Sequence, residues 1–244
     1  LAAVHNLGED KDGNIWKTNV MGTRNVINFC VDNHIDRLFF CSTAYTHGKN
    51  AYERSKGMCE TMVHTSGIRH VTVFKPSIVM GTRGHPYFGH FSQFVLLAIK
   101  VHRRAEIIRR KVEGTLRLPV IEPTMRILGD PEGRLNLVPI DSVVGAMVGI
   151  HDEGTFWLTN PNPPKLGQLL TWIGEFILVN LRFESEFKAG PIEAMFRRKS
   201  SAFGPYLFGD DFPSDLESCP TITKEFIHET IKMALLNHIP TIDK

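Results

Sequence analysis

The segment AYERSK, residues 51–56, places a tyrosine and a lysine four positions apart. Residues with this spacing lie on the same face of a helix, so Tyr52 and Lys56 can act together if the segment is helical. A phenol with an ordinary pKa near ~10 is a poor acid–base catalyst at neutral pH, and a nearby ammonium lowers that pKa by favouring the phenolate. The pair predicts proton transfer by Tyr52. An exposed turn of an ordinary helix carries the same spacing, so the flanking residues must decide.

Two hydroxyl side chains precede this pair at a favourable position. The apolar run at 38–41 predicts a short buried strand, and Ser42 and Thr43 follow it directly. In open α/β sheets, ligands bind at the carboxyl ends of parallel strands. We expect Thr43, with Ser42 as the second choice, to hold a substrate oxygen while Tyr52 gives or takes its proton.

The elements that would position these residues alternate regularly. Apolar spacing predicts a helix over 14–34, a strand over 38–41, a helix over 51–66 and a β-branched strand over 70–81. Helices that alternate with strands across short joints indicate right-handed crossovers and a parallel sheet. The expected fold class is therefore α/β.

The remaining chain is less regular in sequence. We predict a long basic helix over 92–111, an apolar segment over 135–150 in which Asp141 caps a helix, and a strand that enters a proline-rich turn over 154–164. An amphipathic helix near 165–180 should precede a less regular final quarter.

Composition excludes several functional classes. The chain of 244 residues is 42% apolar and 22% charged, as in soluble globular proteins. A net charge of +2 is too small to indicate nucleic-acid binding, and no apolar stretch approaches the ~20 residues that span a bilayer. Four cysteines without a C-x-x-C pair predict buried reduced thiols in the cytoplasm. The eleven histidines lack metal-ligand spacing, so we expect no metal site.

These residues resemble the extended branch of the short-chain dehydrogenase/reductase superfamily, the epimerase/dehydratase-like enzymes. The similarity involves six segments in the family's order within residues 1–150. They are LAA (1–3), TNVMGTRNVINFC (18–30), LFFCSTAYTHG (38–48), YERSK (52–56), VTVFKPSIVMG (71–81) and LVPIDSVVGAMV (137–148).

The resemblance implies a Rossmann-like parallel sheet that is incomplete at its N-terminus, with a smaller C-terminal α/β substrate-binding region. It implies a partial NAD(P)-binding domain over 1–82 and a substrate-binding region over 83–244, from which 135–160 returns to the Rossmann core. The family's glycine-rich phosphate loop is absent from the sequence. We therefore expect a lead-in of ~70 residues or more to be missing, at ~30 residues for each βαβ unit. Only 45–51 separate the hydroxyls from the tyrosine, a shorter connection than relatives usually carry.

The resemblance also implies roles for particular residues. Tyr52 is the acid, Lys56 lowers its pKa and binds the nicotinamide ribose, Thr43 or Ser42 holds the carbonyl oxygen, and Asn19 orders the site. The implied cofactor-binding residues are Ala2, Ala3, Cys41, Tyr52, Lys56, Lys75, Pro76, Ser77, Ile78 and Val79. The implied cofactor is NADP or NAD, with NADPH favoured.

Within this branch, STAY, KPSIVMG, LNLVPIDSVVGAM and FWLTNPNPP are most similar to thioester reductases and fatty acyl-CoA reductases. That similarity implies NADPH-dependent reduction of an acyl thioester or a carbonyl compound. One alternative is a nucleotide-sugar epimerase or dehydratase, and another is a non-catalytic remnant that acts as a binding module. The expected partner is a small-molecule or acyl-thioester substrate, free or attached to a carrier, with no nucleic acid and no membrane span. The oligomeric state stays open, with a homodimer as one alternative.

Overall fold

The computed structural model describes residues 3–117 and 124–238. The first elements are a π-helical segment (Trp16–Met21), α1 (Gly22–Asp32), β1 (Arg37–Cys41), α2 (Ala51–His64), β2 (His70–Pro76), β3 (Ile78–Met80) and α3 (His90–Leu116). They are followed by β4 (Met125–Leu128), β5 (Leu137–Pro139), α4 (Ile140–Gly149), β6 (Gly154–Leu158), α5 (Leu166–Ile177) and β7 (Leu181–Glu184). The chain then forms α6 (Pro191–Lys199), a 3₁₀ helix (Ser201–Tyr206) and α7 (Lys224–His238).

The predicted alternation of helix and strand through the first eighty residues is confirmed. Two details differ. The strand predicted over 70–81 is divided at Ser77 into β2 and β3. The prediction that Asp141 caps α4 is wrong, because β5 runs directly into the helix. Pro139 is therefore the N-cap residue, and Asp141 lies in the first turn.

The final quarter holds more regular structure than its sequence indicated. It contains β7, α6 and α7. The basic helix is also longer than predicted, since α3 runs over His90–Leu116.

One compact unit comprises Leu1–Val79, Leu137–Pro161 and Phe212–Pro220. Its sheet has the order β1-β2-β6, and both strand pairs are parallel. The pairing brings Cys41 beside Phe74. Outside this sheet, β3 pairs with β5. The fold class is therefore α/β with a Rossmann-like parallel sheet, as predicted.

The central strand of this sheet is covered on both faces. Val73 packs with Ile27 of α1 and Val63 of α2. The next residue, Phe74, packs with Val143 of α4 among others. Successive strand residues point to opposite faces, so the sheet is sandwiched between helices on both sides.

The second compact unit comprises Met80–Asn136, Asn162–Asp211 and Thr221–Lys244. A parallel pair of short strands, β4 and β7, joins helices around one apolar core. The buried members of this core are Ala98, Val101, Met125, Ile127, Leu166, Leu170, Phe183, Phe196 and Leu207. Through residues 3–117 and 124–238, no helix combines the length and the apolar composition needed to cross a bilayer.

Candidate active site

The position of Tyr52 is fixed by the start of α2. Asn50 is the N-cap residue, and its side-chain oxygen accepts a hydrogen bond from the Glu53 backbone N–H at 2.9 Å. The Glu53 carboxylate accepts another from the Lys49 N–H, also at 2.9 Å, and this glutamate is fully buried. Because caps of this kind satisfy otherwise unpaired donors, they specify where a helix begins. Sequence reasoning missed this cap, although N-x-x-E before a helix is its signature.

Tyr52 and Lys56 lie four residues apart on α2, and both are buried. The Lys56 ammonium donates to the Cys41 carbonyl oxygen at 2.6 Å and lies 4.7 Å from the centre of the Phe40 ring. The Tyr52 ring stacks on His5, with ring centres 5.1 Å apart. The lysine therefore reaches the carboxyl end of β1, where the sequence predicted a ligand-binding edge.

Burial also changes the proton affinity of the groups around this lysine. Loss of hydration lowers the pKa of Lys56, and the negative charges that Cys41, Cys59 and Glu60 carry when ionised oppose that shift. Burial raises the pKa of the Cys41 thiol, which Lys56 partly counteracts. An apolar setting strengthens any charge interaction that Lys56 makes.

The two hydroxyls after β1 are engaged to different degrees. The Thr43 hydroxyl donates to the Pro76 carbonyl oxygen across a long 3.4 Å and accepts from the Tyr45 N–H at 3.2 Å. The Ser42 hydroxyl instead donates to the Glu60 carboxylate in a short hydrogen bond. A carboxylate is a stronger acceptor than a carbonyl group, so the Thr43 proton is the easier one to redirect toward a substrate.

A buried ion pair lies behind Ser42. The Lys75 ammonium is 2.8 Å from each oxygen of Glu60 and 3.1 Å from the Thr46 hydroxyl. It also lies 4.7 Å from the centre of the Trp157 ring. Because the Lys75 ammonium is paired with Glu60, a contact between Lys75 and a cofactor would have to come from the Lys75 backbone. Glu60 was not predicted, although it follows Lys56 by four residues on the same helix face.

Asn19 joins the π-helical segment to α2. Its side chain accepts from the Val4 N–H at 2.8 Å and donates to the Val4 carbonyl oxygen at 3.2 Å and to the Ser55 hydroxyl at 2.9 Å. The Ser55 hydroxyl in turn donates to the Tyr52 carbonyl oxygen at 2.7 Å. Asn19 therefore links the chain near Ala3 to the backbone of the predicted acid. The predicted residue Ala2 lies outside the described residues.

The junction between β2 and β3 contains a buried hydroxyl without a partner. Ser77 is 7% exposed, and among the described residues its hydroxyl has no hydrogen-bond partner. Pro76 precedes it, and Ile78 and Val79 follow it in β3. Buried polar groups are normally satisfied, so an unpaired hydroxyl here fits a site that a polar ligand completes.

An aromatic cluster covers the loop between Thr43 and Tyr52. The Phe212 ring packs edge-on against Tyr45, with ring centres 4.9 Å apart, and stacks on His47 and Trp157 at 5.9 and 6.0 Å. The segment after Phe212 is held because Asp215 exchanges hydrogen bonds with the Trp157 backbone. Phe212–Pro220 is therefore part of the unit that carries the predicted site.

Two family models match the chain over overlapping regions. The 3-beta hydroxysteroid dehydrogenase/isomerase family matches residues 1–62, and the male sterility protein family matches residues 46–147. Both matches include Tyr52 and Lys56. Together the two matches span residues 1–147 of the 244, and neither alone reaches half of the chain.

Several solved structures share the fold of the chain. The terminal R domain of the myxalamid PKS-NRPS biosynthetic pathway matches with a TM-score of 0.63 and 18% identity, over 100% of this chain and 68% of that one. RMD from Pseudomonas aeruginosa, complexed with NADPH, matches with a TM-score of 0.58 and 14% identity, over 97% of this chain and 79% of that one. UDP-glucose 4-epimerase from Thermotoga maritima, with UDP-glucose, matches with a TM-score of 0.59 and 17% identity, over 98% of this chain and 76% of that one. The comparison with curated proteins gives no match.

Proposed function

We propose that this protein is an enzyme of the extended short-chain dehydrogenase/reductase type, an NADPH-dependent reductase of an acyl thioester or carbonyl substrate. One observation carries the proposal. Tyr52 and Lys56 are buried on one helix, and the Lys56 ammonium reaches the last residue of β1 at 2.6 Å. Thr43, two residues further along the chain, carries the less strongly engaged hydroxyl. Similarity to the R domain and to the male sterility protein family supports the thioester class.

Thr43, Tyr52 and Lys56 each have a separate role in carbonyl reduction. The cofactor, when bound, supplies a hydride to the carbonyl carbon. Thr43 donates a hydrogen bond to the carbonyl oxygen, and Tyr52 delivers a proton to that oxygen as negative charge develops on it. Lys56 stabilises the phenolate that this transfer leaves on Tyr52.

The same residues are suited to the nicotinamide side of the cofactor. An ammonium has three N–H donors, and the Cys41 carbonyl oxygen takes one from Lys56, so donors remain for a ribose hydroxyl. The unpaired Ser77 hydroxyl and the backbone of Pro76 and Ile78 would hold the nicotinamide side. We accordingly assign cofactor binding to residues 1–82 and substrate selection to residues 83–244.

Replacement of the phenolic oxygen tests this proposal. With the intact protein, NADPH and an acyl-pantetheine thioester, Tyr52→Phe should lower kcat by ~10²–10⁴-fold, the range typical of general acid catalysis. Tyr87→Phe is the matched control, because Tyr87 is exposed and belongs to the other compact unit. Normal turnover by Tyr52→Phe would refute the role of Tyr52.

A second function is favoured by the likeness to an epimerase that was solved with UDP-glucose. A nucleotide-sugar epimerase would retain its nicotinamide cofactor through each cycle and convert UDP-sugars. Incubation of the intact protein with UDP-glucose, and separately with NADPH and the thioester, distinguishes the two reactions by product analysis. A protein that leaves nicotinamide fluorescence unchanged on titration with NADPH would instead fit the non-catalytic alternative.

A further inference from the structure

The second compact unit contains a cavity of about 550 Å³, and each described residue of its lining belongs to that unit. It lies between the second half of α3, the start of β4 and the start of α6. Its apolar wall consists of Ala105, Ile108, Val112, Met125, Pro191 and Ile192. Cavities of this size with mostly apolar walls are typical of small-molecule sites.

The charged residues in the wall are already paired with one another. Arg126 forms a two-pronged ion pair with Glu193, through contacts of 2.8 and 3.0 Å. Arg109 is 2.7 Å from both Glu106 and Glu113. Hydrogen bonds from Arg109 and from the next residue, Arg110, lower the pKa of Glu106 to about 2. Because these charges are satisfied within the wall, the part of a ligand that enters the cavity must be apolar.

The exposed surface of α3 next to Ile108 is basic. Arg104 and Lys111 lie four residues before and three residues after Ile108 on α3, so both flank this wall residue on the helix surface. Both side chains are exposed, and neither forms an ion pair with a described residue. These two cations are therefore available to an acidic group that extends past Ile108 onto the surface of α3.

We propose that the cavity binds a small amphipathic anion, with its apolar body against Ile108 and Ile192 and its acidic group near Arg104 and Lys111. The volume accommodates roughly 15–20 non-hydrogen atoms, at ~30 Å³ for each atom of the size of a water molecule. A single-chain carboxylate of medium length has this size and chemistry. This binding site does not depend on the reaction proposed for Tyr52.

Calorimetric titration of the intact protein with monomeric dodecanoate tests the proposal. We expect saturable binding of one molecule, and at least ~10-fold weaker binding of dodecyltrimethylammonium, because Arg104 and Lys111 attract anions and repel cations. Ile108→Glu should weaken dodecanoate binding at least ~10-fold by removing apolar wall and adding a repelling charge. Ile107→Glu is the matched control, since Ile107 is 56% exposed against 57% for Ile108 and lies outside the lining.

Three results would overturn the proposal. The first is that the unaltered protein shows no saturable binding of dodecanoate. The second is that Ile108→Glu and Ile107→Glu bind dodecanoate equally well. The third is that anionic phospholipid vesicles bind while monomeric dodecanoate does not, with both isoleucine variants impaired, which would make this helix face a membrane-contact surface. Unchanged dodecanoate binding by Tyr52→Phe would separate this site from the predicted catalytic one.

Discussion

The buried pair of Glu60 and Lys75 predicts a large loss of stability when one partner is removed. Lys75 is 4% exposed and contacts both oxygens of Glu60 at 2.8 Å. Removal of one member of a buried ion pair costs ~3–5 kcal/mol, because the other charge is left unpaired. The Glu60 side chain is 17% exposed and keeps some hydration. We therefore expect Lys75→Met to lower the free energy of unfolding by about 2–3 kcal/mol.

Urea unfolding followed by circular dichroism measures this loss, and a double-mutant cycle with Glu60→Gln isolates the pairwise contribution. The two residues are in direct contact, so the cycle should return a coupling of ~1–3 kcal/mol. Lys165→Met is the matched control, because the pair of Lys165 and Glu132 has a similar distance, 2.6 Å, but both side chains are exposed. An exposed pair of this kind contributes ~0.2–1 kcal/mol.

The reasoning would be refuted if Lys75→Met were as stable as Lys165→Met. Zero coupling between Lys75 and Glu60 would refute it equally, because the ammonium would then gain nothing from the carboxylate. Zero coupling combined with a large loss for Lys75→Met would mean that the aromatic contact with Trp157, rather than the ion pair, retains Lys75 in the interior.

Two further predictions concern Asn19 and Lys56. Asn19→Ala removes three hydrogen bonds to Val4 and Ser55 and should cost about 2–3 kcal/mol in urea unfolding; a loss below ~0.5 kcal/mol would contradict the role of Asn19 as a link. Because burial lowers the pKa of Lys56 in the folded state, the unfolded chain binds more protons between that lowered pKa and ~10.4, so stability should rise with pH through this window and level off above it. Lys56→Met should lack the rise, and parallel stability–pH curves for the two proteins would contradict it.

Local patterns predicted the elements that carry the site. The β-branched run of β2, the short apolar run of β1 and the helical spacing of α2 are signals that act within a few residues. Each predicted an element of the correct type and place, although the strand predicted over 70–81 is divided at Ser77. Asp141 was misassigned because an aspartate early in a helix fits both the cap and the first turn. Only the direct passage from β5 into α4 distinguishes them.

The partners of the predicted site residues could not be obtained in the same way. Glu60 meets Lys75 because β2 passes beside α2, and a sequence pattern carries no information on that contact. The unpaired hydroxyl of Ser77 likewise follows from tertiary burial. Phe212 packs on Tyr45, although 167 positions separate them in the sequence. Hydrophobic periodicity does not predict contacts over such a separation.

The cavity of the second unit was also invisible in the sequence. Ile107 and Ile108 are adjacent in a basic run that the sequence presents as an ordinary solvated helix face. Ile108 lines the cavity and Ile107 does not, and that difference depends on how α3, β4 and α6 pack.

The central claim is that the Lys56 ammonium holds the Tyr52 phenol ready to exchange a proton. The pH dependence of kcat for thioester reduction by the intact protein measures it most directly. Reduction needs the protonated phenol, so kcat should fall at high pH, and Lys56→Met should move this fall upward by ~1 pH unit or more because the phenolate loses its cation. A fall at the same pH in both proteins would contradict the claim.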